Sequence, residues 1–382
     1  MEIVRSKIIR LFPSKQQEEL MRRHMGASRF IYNYMLDRQI ERHEKGERYL
    51  SMFDMVRLLK PLKNDGVHGW LYEISNATLS RTCADLEAAY KNFMSGRKRF
   101  PRYKTLKCAK QVYPVSDMIS DLWFSESFVN VPKIGKMSYK TNYNIPFGRK
   151  QKFVNPRIRY TANGKWLLTV GIRCESQASD MTSSSMGIDL GIKELAVVAY
   201  GDEKFVFDNK NKSKQIRNDR RRLEHLQRNL SRKYKTNGSY EETKNIQKTL
   251  SQIRRLYYHL TCTQKEYIHQ ITHKLISLKP NRVVMENLNI SGMMKNHHLA
   301  KAIQQQCLYE FIRQMRYKCE QFEIPFLQVD TFYPSSKTCS CCGAIKRDLK
   351  LSDRTFVCLE CGFTIDRDYN AARNLMMYNT HK

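Results

Sequence analysis

The chain has 382 residues, of which 67 are Lys or Arg and 37 are Asp or Glu, so its formal net charge at pH 7 is +30. Hydrophobic residues make up 41% of the sequence, which is enough to bury a core, and the length predicts two or three folded units. This charge argues against a neutral metabolic enzyme and favours a partner that carries phosphates, with a soluble protein bearing solvated lysines as the alternative.

Alternation of apolar and polar residues predicts a first strand over residues 2–11. Pro13 ends this strand. Ser14 and Gln17 have the spacing of a capping box, in which each side chain bonds to the backbone N–H of the other residue. We therefore expect a helix from this point, and the helical spacing of apolar residues continues with breaks to about Met94.

A basic segment at residues 91–110 carries eight Lys or Arg residues and no acid. Phe93, Phe100 and Tyr103 are interleaved with these charges, and a glycine and a proline predict an irregular loop. Basic groups can hold phosphates while aromatic rings stack on bases, so the segment favours nucleic-acid binding. The alternative is a charged surface loop whose aromatic side chains are anchored in the core.

Residues 123–172 have a strand-like pattern that is clearest at residues 157–171. Asn163 and Gly164 separate two alternating runs there and predict a hairpin whose two turn residues both have positive φ. Strands on both sides of a helical stretch predict a small β-barrel with a helical insertion. The small polar residues at 176–185 are typical of a linker.

The second half opens with an apolar strand at residues 186–198, which contains Asp189. Residues 204–235 then carry twelve basic and three acidic residues. Apolar residues at helical spacing in this segment, and again at residues 246–260, predict two antiparallel helices that pack by their apolar stripes and are basic outside. The excess of arginine favours phosphate contacts over a merely solvated helical hairpin.

The remaining pattern predicts a strand, a helix, a strand and a final helix, at residues 282–286, 299–320, 326–331 and 368–377. Glu286 ends the first of these elements and Asp368 opens the last. The sequence contains no run of about 18 apolar residues, so we expect no membrane-spanning helix. Its N-terminus lacks the apolar core of a secretory signal.

Five of the eleven cysteines crowd into residues 339–361. Two C-x-x-C pairs with 15 residues between them are typical of a closed, structural Zn²⁺ site: Cys339 with Cys342, and Cys358 with Cys361. Cys341 is an alternative ligand within the first pair, although its spacing to Cys342 is wrong for the turn. We interpret the other cysteines as ordinary buried thiols: Cys83, Cys108, Cys174, Cys262, Cys307 and Cys319.

Three acids lie in unusual positions: Asp189 within an apolar strand, Glu286 at the end of another, and Asp368 at the start of the last helix. Buried acids are costly unless they are paired or bind a metal. If the three converge on one sheet, they form an oxygen site suited to Mg²⁺ or Mn²⁺, and two such ions support phosphodiester cleavage. Taken singly, each acid is more often a turn or cap residue.

The segment from Gly187 to Gly191 has a competing interpretation as the first phosphate loop of the sugar kinase and actin superfamily. That loop usually continues with Thr or Ser, whereas Ile192 and Lys193 follow here. The sequence also contains no second Asp-x-Gly phosphate loop downstream. These departures argue against an ATPase.

Five segments of the sequence are distinctive in combination: RKRFPRYK, GIDLGIKELAVV, VVMENLNISGM, PSSKTCSCCG and CLECGFTIDRDYNAARNL. Taken together, they resemble the TnpB family of bacterial and archaeal insertion sequences, which is related to the type V CRISPR effector nucleases. The resemblance spans most of the chain and is densest over residues 186–375. It implies a multidomain α+β protein whose nuclease domain has the RuvC-like, RNase H fold.

The resemblance further implies a D…E…D active site that holds Mg²⁺ or Mn²⁺. Asp189 matches the first acid and Glu286 the second. Asp368 matches the third acid, with Asp366 as the alternative for this place. The two cysteine pairs match the zinc ribbon of the family, which is inserted just before the last acid.

The same resemblance implies how the chain is divided. We expect a wedge-like β-barrel at residues 1–13 and 106–175, a helical recognition insert at 14–105, a linker at 176–185, and a nuclease domain at 186–382 with a helical hairpin at 212–278 and a zinc ribbon at 335–364. The basic segments 91–110 and 204–235 would then be parts of the channel for the RNA–DNA heteroduplex.

The resemblance implies an RNA-guided DNA endonuclease, a metal-dependent hydrolase that cuts double-stranded target DNA. A guide RNA from the end of the element pairs with the target, and the protein reads a short adjacent motif. It also implies a prokaryotic protein of the cytoplasm, associated with the nucleoid. One alternative is a nuclease-inactive, RNA-guided or zinc-ribbon DNA-binding regulator. A strand transferase is disfavoured, because transposases with an RNase H fold commonly have the order D-D-E.

Overall fold

The structure is a computed structural model, and it describes residues 2–106, 111–178, 180–237, 243–331, 333–350 and 353–378. The chain divides into two compact units, Met1–Glu175 and Ser176–Lys382. Each unit combines helices with a β-sheet around a core of its own, in agreement with the expected mixed α and β class. The finer division into domains stays a prediction.

The first unit is built on an antiparallel sheet of seven described strands: β1 (Glu2–Phe12), β2 (Val112–Pro114), β3 (Trp123–Phe124), β4 (Phe128–Val131), β5 (Gly135–Lys140), β6 (Val154–Tyr160) and β7 (Trp166–Glu175). The order β2-β6-β7-β1-β5-β4-β3 places the long strand β1 between β7 and β5. Alternate residues of β1, including Ile9 and Leu11, are buried in the core. The predicted first strand is confirmed, whereas closure of this sheet into a barrel stays a prediction.

The described helices between β1 and β2 are α1 (Lys15–Glu44), α2 (Met52–Lys63) and α3 (Asn76–Met94), with a 3-10 turn at Gly69–Glu73. The predicted capping box is present at the start of α1. The Gln17 N–H donates to the Ser14 hydroxyl at 3.3 Å, and the Ser14 N–H donates to the Gln17 side chain at 3.0 Å. The helical region ends at Met94, as expected.

The hairpin between β6 and β7 differs from the prediction. Gly164 has a φ of +81°, but Asn163 is not among the described residues with positive φ. The Gly164 N–H donates to the Thr161 carbonyl at 3.0 Å, and the Thr161 N–H donates to the Lys165 carbonyl at 2.9 Å. This pattern is a three-residue loop, in which a type I turn is followed by one left-handed residue. The expectation of two positive φ angles was wrong, because only the glycine takes the left-handed position.

The basic segment 91–110 begins as the last turn of α3 and continues as irregular chain, and its last four residues lie outside the described ones. The rings of Phe93 and Phe100 lie 5.0 Å apart in an edge-to-face contact. Both side chains are partly buried, so the anchoring alternative is right for them. Tyr103 is exposed and remains accessible to a nucleic-acid partner.

The second unit contains a mixed sheet of five described strands: β8 (Ser185–Leu190), β9 (Glu194–Tyr200), β10 (Glu203–Asp208), β11 (Arg282–Met285) and β12 (Phe326–Gln328). The order is β10-β9-β8-β11-β12, with β8 antiparallel to β9 and parallel to β11. A separate antiparallel pair is formed by β13 (Thr355–Val357) and β14 (Thr364–Asp366). The single strand predicted at 186–198 was wrong, because the chain turns after Leu190 and forms the two antiparallel strands β8 and β9. The strand expected at 326–331 is shorter than predicted, since β12 ends at Gln328.

The described helices of this unit are α4 (Lys214–Asn237), α5 (Lys244–Ser277), α6 (Ile290–Met293), α7 (His297–Gln306), α8 (Leu308–Gln321) and α9 (Arg367–Met376), with a 3-10 turn at Lys210–Lys212. The predicted helical hairpin is confirmed, since Ile216 and Leu223 of α4 pack with Ile253 and Leu260 of α5. Its turn lies outside the described residues. None of the described helices is both long and apolar enough to cross a membrane.

The prediction of a single helix over residues 299–320 was wrong, because Cys307 separates α7 from α8. Cys307 has φ +55° and ψ +40°, a left-handed conformation that an α-helix cannot continue through. The break changes the direction of the chain between two apolar stripes. Ile303 of α7, and Phe311 and Met315 of α8, are all buried in the same core.

Candidate functional site

Two of the predicted acids leave neighbouring strands at the same edge of the five-stranded sheet. Ile188 of β8 lies opposite Met285 of the parallel strand β11, so Asp189 and Glu286 are the next residues along each strand. Side chains alternate between the two faces of a sheet. Because Ile188 and Met285 point into the main core, both acids point to the opposite face.

Helix α9 covers this opposite face and brings the third acid. Gly187 lies two residues before Asp189, and a Cβ there would come 2.0 Å from the Ala372 carbonyl, so only glycine allows α9 to lie this close to β8. Asp368 precedes Ala372 by one helical turn, in the first turn of α9. The fold therefore brings all three predicted acids to one face and one edge of the sheet.

Asp366 has a different local role from Asp368. Its side chain accepts the Tyr369 N–H at 2.9 Å, which makes it the N-cap of α9, and it lies 3.6 Å from the Lys204 ammonium. Asp368 instead accepts two hydrogen bonds from the Arg367 guanidinium, at 2.9 and 3.1 Å. The capping contact occupies Asp366 and favours Asp368 as the third acid.

The electrostatics of the site centre on Asp189. Burial raises the pKa of its carboxyl well above the usual range, and the negative charges of Glu286 and Asp368 raise it further. The positive charge of Arg367 opposes these effects. Like charges that crowd a poorly solvated site are costly unless a cation is present. The donor set consists of carboxylate oxygens, which fits a hard divalent cation such as Mg²⁺ or Mn²⁺.

The three carboxylates are not gathered around a single point. They do not form a group with one oxygen from each within 4.8 Å of the others. Separate partners hold two of them: the Ser335 hydroxyl donates to Glu286, and Arg367 donates to Asp368. The three acids thus share one face and one end of the sheet without converging on one point.

The four predicted cysteines do meet at one point. The Sγ atoms of Cys339 and Cys361 lie 3.7 Å apart, and those of Cys342 and Cys358 lie 3.6 Å apart. A zinc ion with four sulfurs at about 2.3 Å in a tetrahedron requires sulfurs about 3.8 Å apart. A disulfide needs sulfurs at about 2.05 Å, so these are free thiols in the arrangement of a tetrahedral metal site.

Backbone N–H groups stabilise a thiolate at Cys358 in this cluster. The N–H groups of Cys361 and Glu360 point at the Cys358 sulfur and lower the pKa of its thiol to about 7. The neighbouring cysteine side chains instead raise the pKa of the Cys342 and Cys361 thiols. A metal binds the thiolate rather than the thiol, so such donors favour a bound cation. Cys341 is exposed and lies outside the four-sulfur group, which argues against the alternative ligand.

The prediction that the other cysteines are buried was wrong for Cys262, which is exposed, and for the half-buried Cys174 and Cys307, but right for Cys83 and Cys319. Cys108 lies outside the described residues.

Sequence reasoning missed Gln306, which supports the loop after Asp189. This side chain is fully buried, and its amide donates to the carbonyls of Gly191 and Ile192 at 3.1 and 3.3 Å. Its oxygen accepts from the Asn211 amide at 3.2 Å. A glutamine near a helix end has no sequence signal for this role, because its partners are backbone carbonyls far along the chain.

Helix α4 presents a basic surface that could contact phosphates. Its exposed cationic residues have no carboxylate partner among the described residues: Lys214, Arg217, Arg221, Arg222, Arg228, Arg232 and Lys235. The apolar stripe of α4 is packed against α5, so these side chains cover the solvent face. The expectation of a hairpin that is basic outside is confirmed.

Comparisons with known proteins identify the family. Models described as “Cas12f1-like, TNB domain”, “Probable transposase” and “Helix-turn-helix domain” match residues 309–375, 169–297 and 1–48. The “Putative RNA-guided DNA endonuclease InsQ” of Escherichia coli K12 is 31% identical over 383 residues, covering 96% of this chain and 90% of the relative. The chain belongs to the TnpB family. A “Putative RNA-guided DNA endonuclease” of Streptomyces pristinaespiralis is 27% identical and covers 98% of this chain and 89% of its own length.

The fold of this TnpB family member is similar to that of a solved effector. The Cas12f1 chain in the cryo-electron microscopy structure of a Cas12f1–sgRNA–target DNA complex matches with a TM-score of 0.62. The match covers 98% of this chain and 99% of that one at 13% identity, so it shows a shared fold. In the region matched as helix-turn-helix, the present structure has strand β1 followed by the single long helix α1.

Proposed function

We propose that this chain is an RNA-guided DNA endonuclease that hydrolyses phosphodiester bonds of double-stranded target DNA. The observation that carries the proposal is the placement of three separate acids on one face and at one edge of the sheet, in a chain related over 96% of its length to a protein named as such an endonuclease. The α4 surface and the net charge of +30 support nucleic-acid partners, which we take to be a guide RNA and its DNA target.

We assign Asp189, Glu286 and Asp368 as the catalytic acids that hold Mg²⁺ or Mn²⁺. When bound, such ions activate a water and stabilise the leaving oxygen. The chain itself supplies the carboxylates and keeps them in place. Arg367 donates to one oxygen of Asp368, and the half-buried Asp189 carboxyl lies near two other acids, a position in which a bound cation is favoured.

We assign a structural Zn²⁺ to the sulfur cluster, in a zinc ribbon at residues 335–364. The tetrahedral spacing of the sulfurs and the N–H groups around Cys358 support this ion. Four protein ligands leave no position for a reacting water, so this metal would stabilise the fold rather than take part in the reaction.

We also assign the second unit to a RuvC-like, RNase H-type nuclease domain beginning at residue 186, and the first unit to a wedge-like barrel with a helical recognition insert. The mixed strand order with acids at its edge supports the first assignment. The helices between β1 and β2 support the second. Such a protein would act in the prokaryotic cytoplasm, on the nucleoid.

The test uses the protein purified together with its copurifying RNA, which is sequenced. A plasmid library supplies the complementary target next to randomised bases, in buffer with Mg²⁺. We expect cleavage by the wild type and at least about a thousandfold loss in Asp189→Ala, because a two-metal site cannot form without this oxygen ligand. Affinity for the target should be unchanged, since Asp189 contributes no basic contact.

Asp202→Ala is the matched control, because Asp202 is an exposed acid in the turn between β9 and β10 of the same sheet. It should cut like the wild type. Cleavage that survives Asp189→Ala would refute the site. Tight, guide-dependent binding without any cleavage by the wild type would instead support the nuclease-inactive regulator.

A further inference from the structure

Two buried asparagines of α9 are not explained by the acids or by the sulfur cluster. Asn370 is fully buried and Asn374 is 4% exposed, and they lie one helical turn apart on the same face. A buried amide is costly unless its polar atoms are hydrogen-bonded. Their partners therefore indicate what this face of α9 holds.

All of their partners lie in one short segment, Ser335 to Ser340, which leads into the first cysteine pair. Asn370 donates to the Thr338 carbonyl at 2.7 Å and accepts the Ser340 N–H at 3.0 Å. Asn374 donates to the Thr338 carbonyl at 2.6 Å and to the Ser335 carbonyl at 2.7 Å. Helix α9 thus clamps the backbone of this segment from both ends.

The clamp determines where one hydroxyl points. Ser335 is 2% exposed, its N–H donates to the Tyr333 carbonyl at 2.8 Å, and its carbonyl is held by Asn374. With its backbone held at both ends, the Ser335 hydroxyl donates to Oε1 of Glu286. A hydrogen bond to one carboxylate oxygen orients the group and leaves the other oxygen available to a cation.

We propose that Ser335 is a positioning residue of the nuclease site, which orients Glu286 for a divalent cation and is itself held by Asn370 and Asn374. This inference rests on the proposed function. Helix α9 would then place two acids at once, Asp368 directly in its first turn and Glu286 through Ser335. The first residues of the proposed zinc ribbon, 335–340, would thereby also hold the nuclease site in place.

The experiment compares Ser335→Ala with Ser340→Ala in zinc-loaded protein. Ser340 is the matched control because it is 6% exposed, lies in the same clamped segment, and its hydroxyl has no hydrogen-bond partner in the described part of the chain. Binding of Mn²⁺ alone is measured from the spectroscopic signal of the free ion. We expect Ser335→Ala to weaken Mn²⁺ binding by about 10- to 100-fold and Ser340→Ala to leave it unchanged.

Two further measurements separate positioning from folding. In the cleavage assay, Ser335→Ala should raise the Mg²⁺ concentration for half-maximal rate by a similar factor, with zinc content, Tm and target affinity unchanged. Ser335→Thr keeps the hydroxyl and should recover most of the Mn²⁺ affinity. If Ser335→Ala lowers Tm or zinc content, the Mn²⁺ affinity of Ser335→Thr distinguishes positioning from folding. A Ser335→Thr variant that does not recover Mn²⁺ affinity would refute the proposal.

Unchanged Mn²⁺ affinity in Ser335→Ala, or an equal loss in Ser340→Ala, would also overturn it. Asp189→Ala, assayed in parallel, separates this outcome from a failure of the proposed function. If Asp189→Ala abolishes cleavage while Ser335→Ala changes nothing, the nuclease site stands and only the positioning role falls.

Discussion

Gly187 determines how closely α9 can approach the strand that carries Asp189. A methyl group at this position would come 2.0 Å from the Ala372 carbonyl and 2.3 Å from the Met376 nitrogen, and both are backbone atoms that cannot turn away. Any side chain must therefore push the whole helix outward. Because Asp368 is on that helix, the displacement would also move this acid away from Asp189 and Glu286.

We predict that Gly187→Ala lowers the free energy of unfolding by about 3 kcal/mol and abolishes most cleavage. Chemical denaturation and the cleavage assay measure the two effects. Gly26→Ala is the control, because Gly26 lies inside α1 with no atom within 4 Å of an added Cβ. That change should be neutral or stabilise the protein by up to about 1 kcal/mol. Equal stability of the two variants would contradict the packing described here.

Lys318 gives a pH-dependent prediction away from both candidate metal sites. It is 5% exposed, and burial lowers the pKa of its ammonium to about 8. The ammonium donates to the Thr272 hydroxyl at 2.7 Å and to the His269 carbonyl at 3.0 Å. The cost of burying its charge is fully present below pH 8 and disappears as pH rises toward 10.5, the ordinary lysine value.

We therefore expect the wild type to gain stability relative to Lys318→Met as pH rises from about 8 to about 10.5, by on the order of 3 kcal/mol. Methionine keeps the length of the side chain but cannot titrate. Denaturation curves of both proteins across this range measure the difference. A difference that stays constant with pH would show that Lys318 titrates normally.

At the scale of elements, the described part of the zinc ribbon proposed at residues 335–364 has a small apolar core, so a metal at the four sulfurs would add to its stability. Its buried cluster contains only a few side chains, including Leu349 and Phe356, beside two of the cysteines themselves. Small units of this kind usually fold with their metal. Hydrogen bonds of Asn370 and Asn374 of α9 with residues 335–340 connect the ribbon to this helix.

We predict that Cys358→Ser lowers bound zinc and Tm together, because it removes one of four thiolates from a closed site. Atomic emission measures the metal and thermal unfolding measures Tm. Cys341→Ser should change neither, since this exposed thiol lies outside the four-sulfur group. Wild-type zinc content in Cys358→Ser would refute the assignment of the ligands.

At the scale of the whole molecule, the excess positive charge should dominate nucleic-acid affinity. Each phosphate neutralised by a cationic side chain releases counterions, so affinity falls steeply with salt. The unpaired arginines on α4 are the densest described source of such contacts. Contacts from these arginines would act through charge rather than through base recognition, as expected where a guide RNA specifies the target.

We predict that replacing Arg221, Arg222 and Arg228 together by alanine weakens binding of target DNA and lowers the slope of log affinity against log salt by up to about 3. Fluorescence anisotropy at several salt concentrations measures the slope. Arg313→Ala is the control, because Glu310 lies 2.7 Å from this guanidinium and already balances its charge. An unchanged slope in the triple variant would exclude α4 from the interface.

Several features of this protein follow from residues that are close together in the chain. Ser14 and Gln17 form their capping box because both partners lie within one helical turn. The four cysteines converge because each C-x-x-C pair closes locally around two sulfurs. The apolar stripes of α4 and α5 predicted their hairpin for the same reason. The family and its function were likewise recognisable from short contiguous motifs.

Other features depend on contacts between distant segments, which a local pattern does not contain. The break at Cys307 and the three-residue loop before β7 were both missed, because register and core packing rather than composition decide them. The contact of Ser335 with Glu286 spans 49 positions in the chain. The amino-acid sequence by itself indicated which acids and which cysteines form the candidate sites, and it determined the net charge and the family. Only the tertiary structure decided how the acids are spaced and what holds them, because α9, the ribbon and two strands come together only on folding.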